Sequence, residues 1–237
     1  MSLVLNDVGR EYGGLRALDA VSFSVADGER VGVIGPNGAG KSTLFKVIAG
    51  SERTSRGQVT LDGKDLSRVS ARHRARLGIG RTFQITELFG TLTVGENLRL
   101  AARAGGEDRI TTALSRFGIG QWESSRVDEL GYGQQRLVEL AVTFVTGARV
   151  LLLDEPAAGL GAAERMVISD VIRHLPDDVT ILLIEHDMDL VLGLVDRVFC
   201  LSNGRLIADG DVGTIRDHPA VREVYLGTPH GESEVAS

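Results

Sequence analysis

The residue types able to do chemistry fall at a few fixed points along the chain. Gly35-Pro36-Asn37-Gly38-Ala39-Gly40-Lys41-Ser42 has the spacing G-x-x-x-x-G-K-S, with an apolar run before it at 30–34 and a helix-like segment after it at 41–49. Glycines let such a loop curl so that successive N–H groups point inward at phosphate oxygens. The helix that follows turns its positive end toward the same anion. In that pattern Lys41 is expected on the β- and γ-phosphates and Ser42 on Mg2+, with Thr43 beside them.

Two further apolar runs end in polar residues. Val150-Leu151-Leu152-Leu153-Asp154-Glu155 places two carboxylates at a strand tip. Asp154 suits a direct or water-mediated Mg2+ contact, and Glu155 could polarise a water for attack on a γ-phosphate. Ile181-Leu182-Leu183-Ile184-Glu185-His186-Asp187 ends the same way. A histidine there could hydrogen-bond the γ-phosphate and sense its loss. Between loop and acids lies Leu130-Gly131-Tyr132-Gly133-Gln134-Gln135-Arg136, a glycine-rich stretch in which Gln134 precedes Asp154 by twenty positions. The base-reading N-K-x-D pattern of guanine-nucleotide switches is absent. The loop alone leaves a small-molecule kinase open.

These groups need a scaffold of parallel strands. Short apolar runs alternate with amphipathic helix-length segments, which implies a mostly parallel α/β sheet. Residues 3–8, 20–25 and 59–61 read as strands of an antiparallel portion, and 150–153 and 179–184 as central strands covered on both faces. From 91 to 147 helical patterning dominates. Thr93 and Glu96 fit a capping box, and the glycines at 105, 106, 118, 120, 131 and 133 are expected to break this stretch into short helices. The chain thus divides into a nucleotide-binding core (1–90), an inserted helical subdomain (91–147), the second part of the core (148–227) and a polar tail (228–237).

Composition narrows the classes. The 237 residues are 43% hydrophobic and 24% charged, with a net charge of −6. That balance suits a soluble globular protein and disfavours broad nucleic-acid binding. The one cysteine, Cys200, sits in an apolar run. It reads as a small buried hydrophobe, and with no secretory signal it points to a reducing cytoplasm. No apolar stretch has the length of a membrane span. Arg68, Arg72, His73, Arg74 and Arg76 form a basic run, expected to be a solvated helix face, and Trp122 is expected to pack within the helical region.

Taken together, residues 3–226 resemble the nucleotide-binding subunit of ABC transporters. The resemblance makes 35–42 the Walker A loop, 150–155 the Walker B strand, and Leu130, Gly131, Tyr132, Gly133 and Gln134 the signature usually written LSGGQ. It implies Glu155 as catalytic base, Gln84 as the glutamine that contacts Mg2+ and the attacking water, His186 as the switch histidine, and Tyr12 as the aromatic that stacks on adenine. It also implies ATP and Mg2+ as cofactors, and two cassettes paired head to tail so that the signature of one completes the ATP site of the other. The partners would be transmembrane permease subunits, a second ATPase subunit (a copy or a paralogue) and, indirectly, a periplasmic or extracellular solute-binding protein. The place would be the cytoplasmic side of the cell membrane. The sequences Gly78-Ile79-Gly80-Arg81-Thr82-Phe83-Gln84, Tyr132-Gly133-Gln134-Gln135-Arg136 and Pro156-Ala157-Ala158-Gly159-Leu160 look like the ATPases of branched-chain amino-acid importers. Gly131 stands where the family usually has serine, Tyr132 where it has glycine, and Gly161 where it commonly has aspartate. A single set of motifs without sustained heptads argues against a DNA-repair or translation ATPase of the same family. Gly131 and Gly161 motivate a different rival, a nucleotide-gated regulatory subunit with weak catalysis.

Overall fold

The computed structural model describes residues 2–82, 88–102 and 106–226. Gln84, Gly105 and the tail at 228–237 lie outside the described residues. The strands are β1 (Ser2–Tyr12), β2 (Leu15–Ala26), β3 (Arg30–Ile34), β4 (Arg56–Leu61), β5 (Lys64–Asp65), β6 (Ile79–Arg81), β7 (Val150–Asp154), β8 (Thr180–Ile184), β9 (Arg197–Ser202) and β10 (Arg205–Asp211). The helices are α1 (Lys41–Ala49), α2 (Ala71–Arg76), α3 (Val94–Ala101), α4 (Glu107–Arg116), α5 (Tyr132–Val145), α6 (Ala162–Arg173), α7 (Met188–Leu192), α8 (Val212–Asp217) and α9 (Pro219–Leu226).

Among the described residues the strands form two sheets: a 4-stranded one in the order β2-β1-β4-β5 and a 6-stranded one in the order β10-β9-β3-β8-β7-β6. The first is antiparallel. In the second, β9, β3, β8, β7 and β6 run parallel, and only β10 is antiparallel. The mixed α/β class expected from the alternation of apolar runs is therefore the observed one.

The central strands read as unbroken apolar runs because each serves two cores. Leu151, Leu153, Ile181, Leu183, Val198 and Cys200 face a cluster built with the helices. Their neighbours Val150, Leu152, Leu182, Ile184, Phe199 and Leu201 face α1 and the antiparallel sheet. Period-2 alternation splits β7, β8 and β9 between the two clusters, so no position in their middle can be polar.

Helices α3, α4 and α5 lie between β6 and β7 in sequence and pack on the first cluster, with Phe117 and Phe144 in ring contact at 5.6 Å. The Thr93–Glu96 capping box forms: Thr93 Oγ1 accepts from Glu96 N–H and Glu96 Oε2 accepts from Thr93 N–H. Trp122 packs partly buried against this cluster. Gly133 does not break the segment. It lies buried inside α5, where an added Cβ would come within 2.3 Å of Glu164 Oε1.

The basic run at 68–76 is not uniformly solvated. Arg74 is buried, donating to the carbonyls of Val47, Ile48, Leu66 and Val69. Two of those carbonyls close the last turn of α1, which has no further helix to bond them. A planar, multi-donor guanidinium satisfies several such acceptors at once. Burial lowers its pKa to about 10, still far above neutral pH.

Candidate functional site

The site sits at the carboxyl ends of three adjacent parallel strands, the place where open α/β sheets bind ligands. β3 runs into the glycine loop, β8 ends at Ile184 beside Val33 of β3, and β7 ends at Asp154 beside Ile184. The chain order is scrambled in space, and this brings residues 35–42, 154–155 and 185–186 together.

Gly35, Gly38 and Gly40 all adopt positive φ, at 145°, 80° and 105°. A Cβ on Gly35 would lie 2.2 Å from Leu201 O, and one on Gly40 would lie 2.5 Å from Ala17 O. The loop therefore presses against the neighbouring backbone at two points, where only glycine fits. Gly40 caps α1 without a side-chain hydrogen bond, leaving the first-turn N–H groups of α1 facing the loop. Lys41 is buried and donates from Nζ to Gly35 O at 2.6 Å and Pro36 O at 3.0 Å. Burial lowers its pKa, while Glu155 and then Asp154 act in the opposite direction.

Around this loop lies a cleft of about 530 Å³ lined by Tyr12, Asn37, Lys41, Thr43, Glu155 and His186, with Gly38, Ala39, Gly40 and Ser42 on its floor. Tyr12 is partly exposed at the rim, and the Arg10 guanidinium lies 4.3 Å from its ring centroid. A flat ligand can stack on the opposite face.

Asp154 is fully buried. Its Oδ2 accepts from Arg81 Nη2 at 2.9 Å, and its Oδ1 has no hydrogen-bond partner among the described residues. A buried carboxylate oxygen with an open lone pair fits a hard divalent cation that takes only one or two protein oxygens, and the Ser42 hydroxyl of the glycine loop could supply another. Among the described residues no group of three or more His, Cys, Asp and Glu could hold a metal by itself, so phosphates and water would complete the shell.

Glu155 has φ +51°. A non-glycine residue in this region costs roughly 1–3 kcal/mol, and surrounding bonds hold it there. Its N–H donates to Ile184 O at 2.9 Å, and its own carbonyl accepts from Ala158 N–H at 3.1 Å. The turn aims its carboxylate at His186, with Nε2 and Oε1 2.7 Å apart. Glu185 is buried and accepts from Ala157 N–H and His186 N–H. Burial raises its pKa. It ties the turn after β7 to the turn after β8.

The signature stretch is elsewhere. Leu130, Gly131, Tyr132, Gly133 and Gln134 do not line the cleft. Gly131 is the residue before α5, and Gln134 Oε1 accepts its N–H at 2.8 Å. Leu130 O accepts from Gln135 Nε2. No charged side chain belongs to this stretch; its polar groups are the Tyr132 hydroxyl, the Gln134 amide, backbone N–H donors and a helix N-terminus. Sequence reasoning assigned no role to Arg81, Glu185, Arg136 or Glu139. Arg81 and Asp154 are far apart in the chain, and only the β6–β7 pairing makes them neighbours.

The comparisons with known proteins agree with one another. Residues 18–158 match the ABC transporter family, and residues 205–231 match the branched-chain amino acid ATP-binding cassette transporter family. The high-affinity branched-chain amino acid transport ATP-binding protein LivG of Salmonella typhimurium is 37% identical, over 95% of this chain and 97% of that protein. BraF of Pseudomonas aeruginosa, which carries the same description, is 35% identical over 95% and 97%. Among solved structures, the ADP conformation of MJ1267, an ATP-binding cassette of an ABC transporter, superposes with a TM-score of 0.87. It is 29% identical over 96% of this chain and 100% of that one.

Proposed function

The chain belongs to the ATP-binding family of ABC transporters, and from that premise we propose that it powers import of branched-chain amino acids or a related small organic solute. The names of its relatives and the match at 205–231 support that solute class. The observation that carries the mechanism is the convergence of Lys41, Glu155 and His186 on one cleft, with Asp154 buried beside Glu155 at the end of β7.

In this reading the loop amides and the α1 N-terminus bind the β- and γ-phosphates. Lys41 exchanges the carbonyls of Gly35 and Pro36 for phosphate oxygens, so its charge is already in place before nucleotide arrives. Tyr12 stacks on adenine with the face that Arg10 leaves open. Ser42, Asp154 and Gln84 would hold Mg2+, which when bound would supply positive charge against the phosphates. Glu155 takes the proton of the attacking water. His186, hydrogen-bonded to its carboxylate, orients that carboxylate and reports the presence of the γ-phosphate.

The absence of the signature from this cleft supports the paired arrangement. A second ATPase subunit would lay its own 130–134 over the bound nucleotide and close the open side of the site. Among the described residues no helix is long and apolar enough to cross a membrane, so transmembrane permease subunits would supply the path. A groove of about 720 Å³ lies between α2, β6 and the helices α3 and α5, with Ala71, Arg72, Leu88 and Leu100 in its wall. We place the permease contact there. The solute-binding protein acts on the far side of the membrane and does not touch this chain.

Turnover of Mg-ATP by the chain together with its permease subunits tests the proposal. Glu155→Gln should reduce kcat by on the order of a hundredfold or more at unchanged ATP affinity. A Glu155→Gln assembly that turns over like wild type would rule out Glu155 as the base.

A further inference from the structure

The helix that begins with the signature also holds the turn that carries Glu155. Residues 132 and 136 of α5 are one turn apart and share a face. Arg136 is 2% exposed. One arm of its guanidinium pairs with Glu139 on the next turn, and Nη2 of the other donates to the main-chain carbonyl of Glu155 at 3.1 Å. Four residues earlier, the Tyr132 hydroxyl donates to Ala158 O at 3.4 Å. The Tyr132 ring lies over Gly159, where an added Cβ would sit 3.4 Å from the ring Cε1. Thus residues 155–159 are gripped at both ends by the first turns of α5.

Glu155 has the left-handed backbone described above, so the direction of its carboxylate depends on bonds made by its neighbours. One of those bonds comes from Arg136. The Glu139 carboxylate balances the guanidinium charge, which allows a cation to be buried beside the catalytic turn. A forked guanidinium reaches Glu139 and the Glu155 carbonyl together, whereas a lysine ammonium is a point charge with no such fork. The geometry also explains a tyrosine where a glycine is usual: its ring fills the space above Gly159.

We propose that Tyr132 and Arg136 are positioning residues that couple the two ATP sites of the pair. When a partner's ATP docks on the N-terminus of α5, this face of the helix sets the turn at 155–159 and so aims Glu155 in the chain's own site. The proposal rests on the paired reading given above. It accounts for a link between a surface that serves the partner's nucleotide and the base that acts on the chain's own.

Steady-state ATPase of the full chain with its permease subunits tests it, using Arg136→Lys, Tyr132→Phe and the charge-balanced double variant Arg136→Gln/Glu139→Gln. The double variant avoids stranding a buried carboxylate. Expected for Arg136→Lys and the double variant is a fall in kcat of tenfold to a hundredfold, the order that a small misplacement of a catalytic group produces. KM for ATP should stay within about twofold, and the Hill coefficient for ATP should fall toward about 1, its value for independent sites. Tyr132→Phe should show the same pattern at a few-fold. In a Glu155→Gln background the same variants should still form the ATP-bound dimer. Wild-type kcat and cooperativity in folded Arg136→Lys and double variants would overturn the proposal, as would a kcat loss that merely tracks lost ATP binding. A Glu155→Gln protein that stays monomeric with ATP overturns the paired reading and this proposal together. A normal dimer with undiminished Arg136→Lys turnover overturns this proposal alone.

Discussion

The glycine loop at 35–42 and the glycine stretch at 130–134 both precede a helix, yet they are built differently. The first gathers charge. Lys41 is buried in it, Glu155 faces it from the turn after β7 with Asp154 buried behind at the strand end, and His186 lines it from the turn after β8. The second has no charged side chain, lies outside the cleft, and offers amides, the Tyr132 hydroxyl and the start of α5. An anion held by the first has a counter-charge and a built pocket. An anion at the second has neither until a nucleotide is presented to it. Two similar glycine patterns thus mark a binding site and, in the proposed pair, a lid that belongs to the other subunit.

The glycines differ in the same way. Gly35 and Gly40 have positive φ and no room for a side chain. Gly131 has φ −64° and ψ 158°, an ordinary extended conformation, and a Cβ there would meet nothing closer than Gln134 Oε1 at 3.6 Å. Glycine is required in the loop, but at 131 a serine would fit.

The comparison can be broken most forcefully at Lys41. Lys41→Ala should weaken ATP binding by on the order of a hundredfold, the loss of a buried charge-assisted contact to phosphate. Titration of a monomeric sample with a fluorescent ATP analogue reads this directly. Unchanged affinity would mean that the first region is not the site that binds alone. A smaller effect is expected at Arg74, which anchors the far end of the helix that starts the loop. Arg74→Met removes the guanidinium donors from the carbonyls of Val47, Ile48, Leu66 and Val69, of which Val47 and Leu66 keep a backbone donor. It should cost about 2 kcal/mol in chemical denaturation. Saturating ATP should restore part of that stability by mass action, since ligand binds the folded form.

The smallest effect sharpens the comparison at the lid. Gly131→Ser restores a hydroxyl that can donate to a partner's γ-phosphate, a bond worth about 0.5–1.5 kcal/mol. It should raise kcat of the complete assembly roughly two- to tenfold, and leave ATP affinity of the monomer unchanged. A change in monomer affinity would place 131 in the chain's own site and erase the distinction between the two regions.

Much of this arrangement was readable in the sequence for a simple reason. The segments that carry charge to the cleft are local: β3 (Arg30–Ile34) and α1 (Lys41–Ala49) have the expected bounds, and the apolar runs ending at Asp154 and before Glu185 are the strands β7 and β8. Their composition is dictated by two-sided burial, which leaves no polar residue until the strand tip. What escaped the sequence depends on pairing between distant segments. Arg81 meets Asp154 only through the β6–β7 register. Arg136 looks like any charged residue of an amphipathic helix until its guanidinium reaches the Glu155 carbonyl. Arg74 sits in a basic run that reads as solvated, because nothing local shows that α1 ends against it. Gly133 reads as a helix breaker, because its neighbour Glu164 is supplied by α6.

The central claim is that the charged cleft of one subunit is closed by the uncharged signature of another. Sedimentation velocity of the Glu155→Gln protein with and without ATP tests it most directly. The account predicts a monomer without nucleotide and a dimer with ATP, reverting to monomer when Lys41→Ala is added. A protein that binds ATP yet sediments as a monomer at every concentration would contradict it.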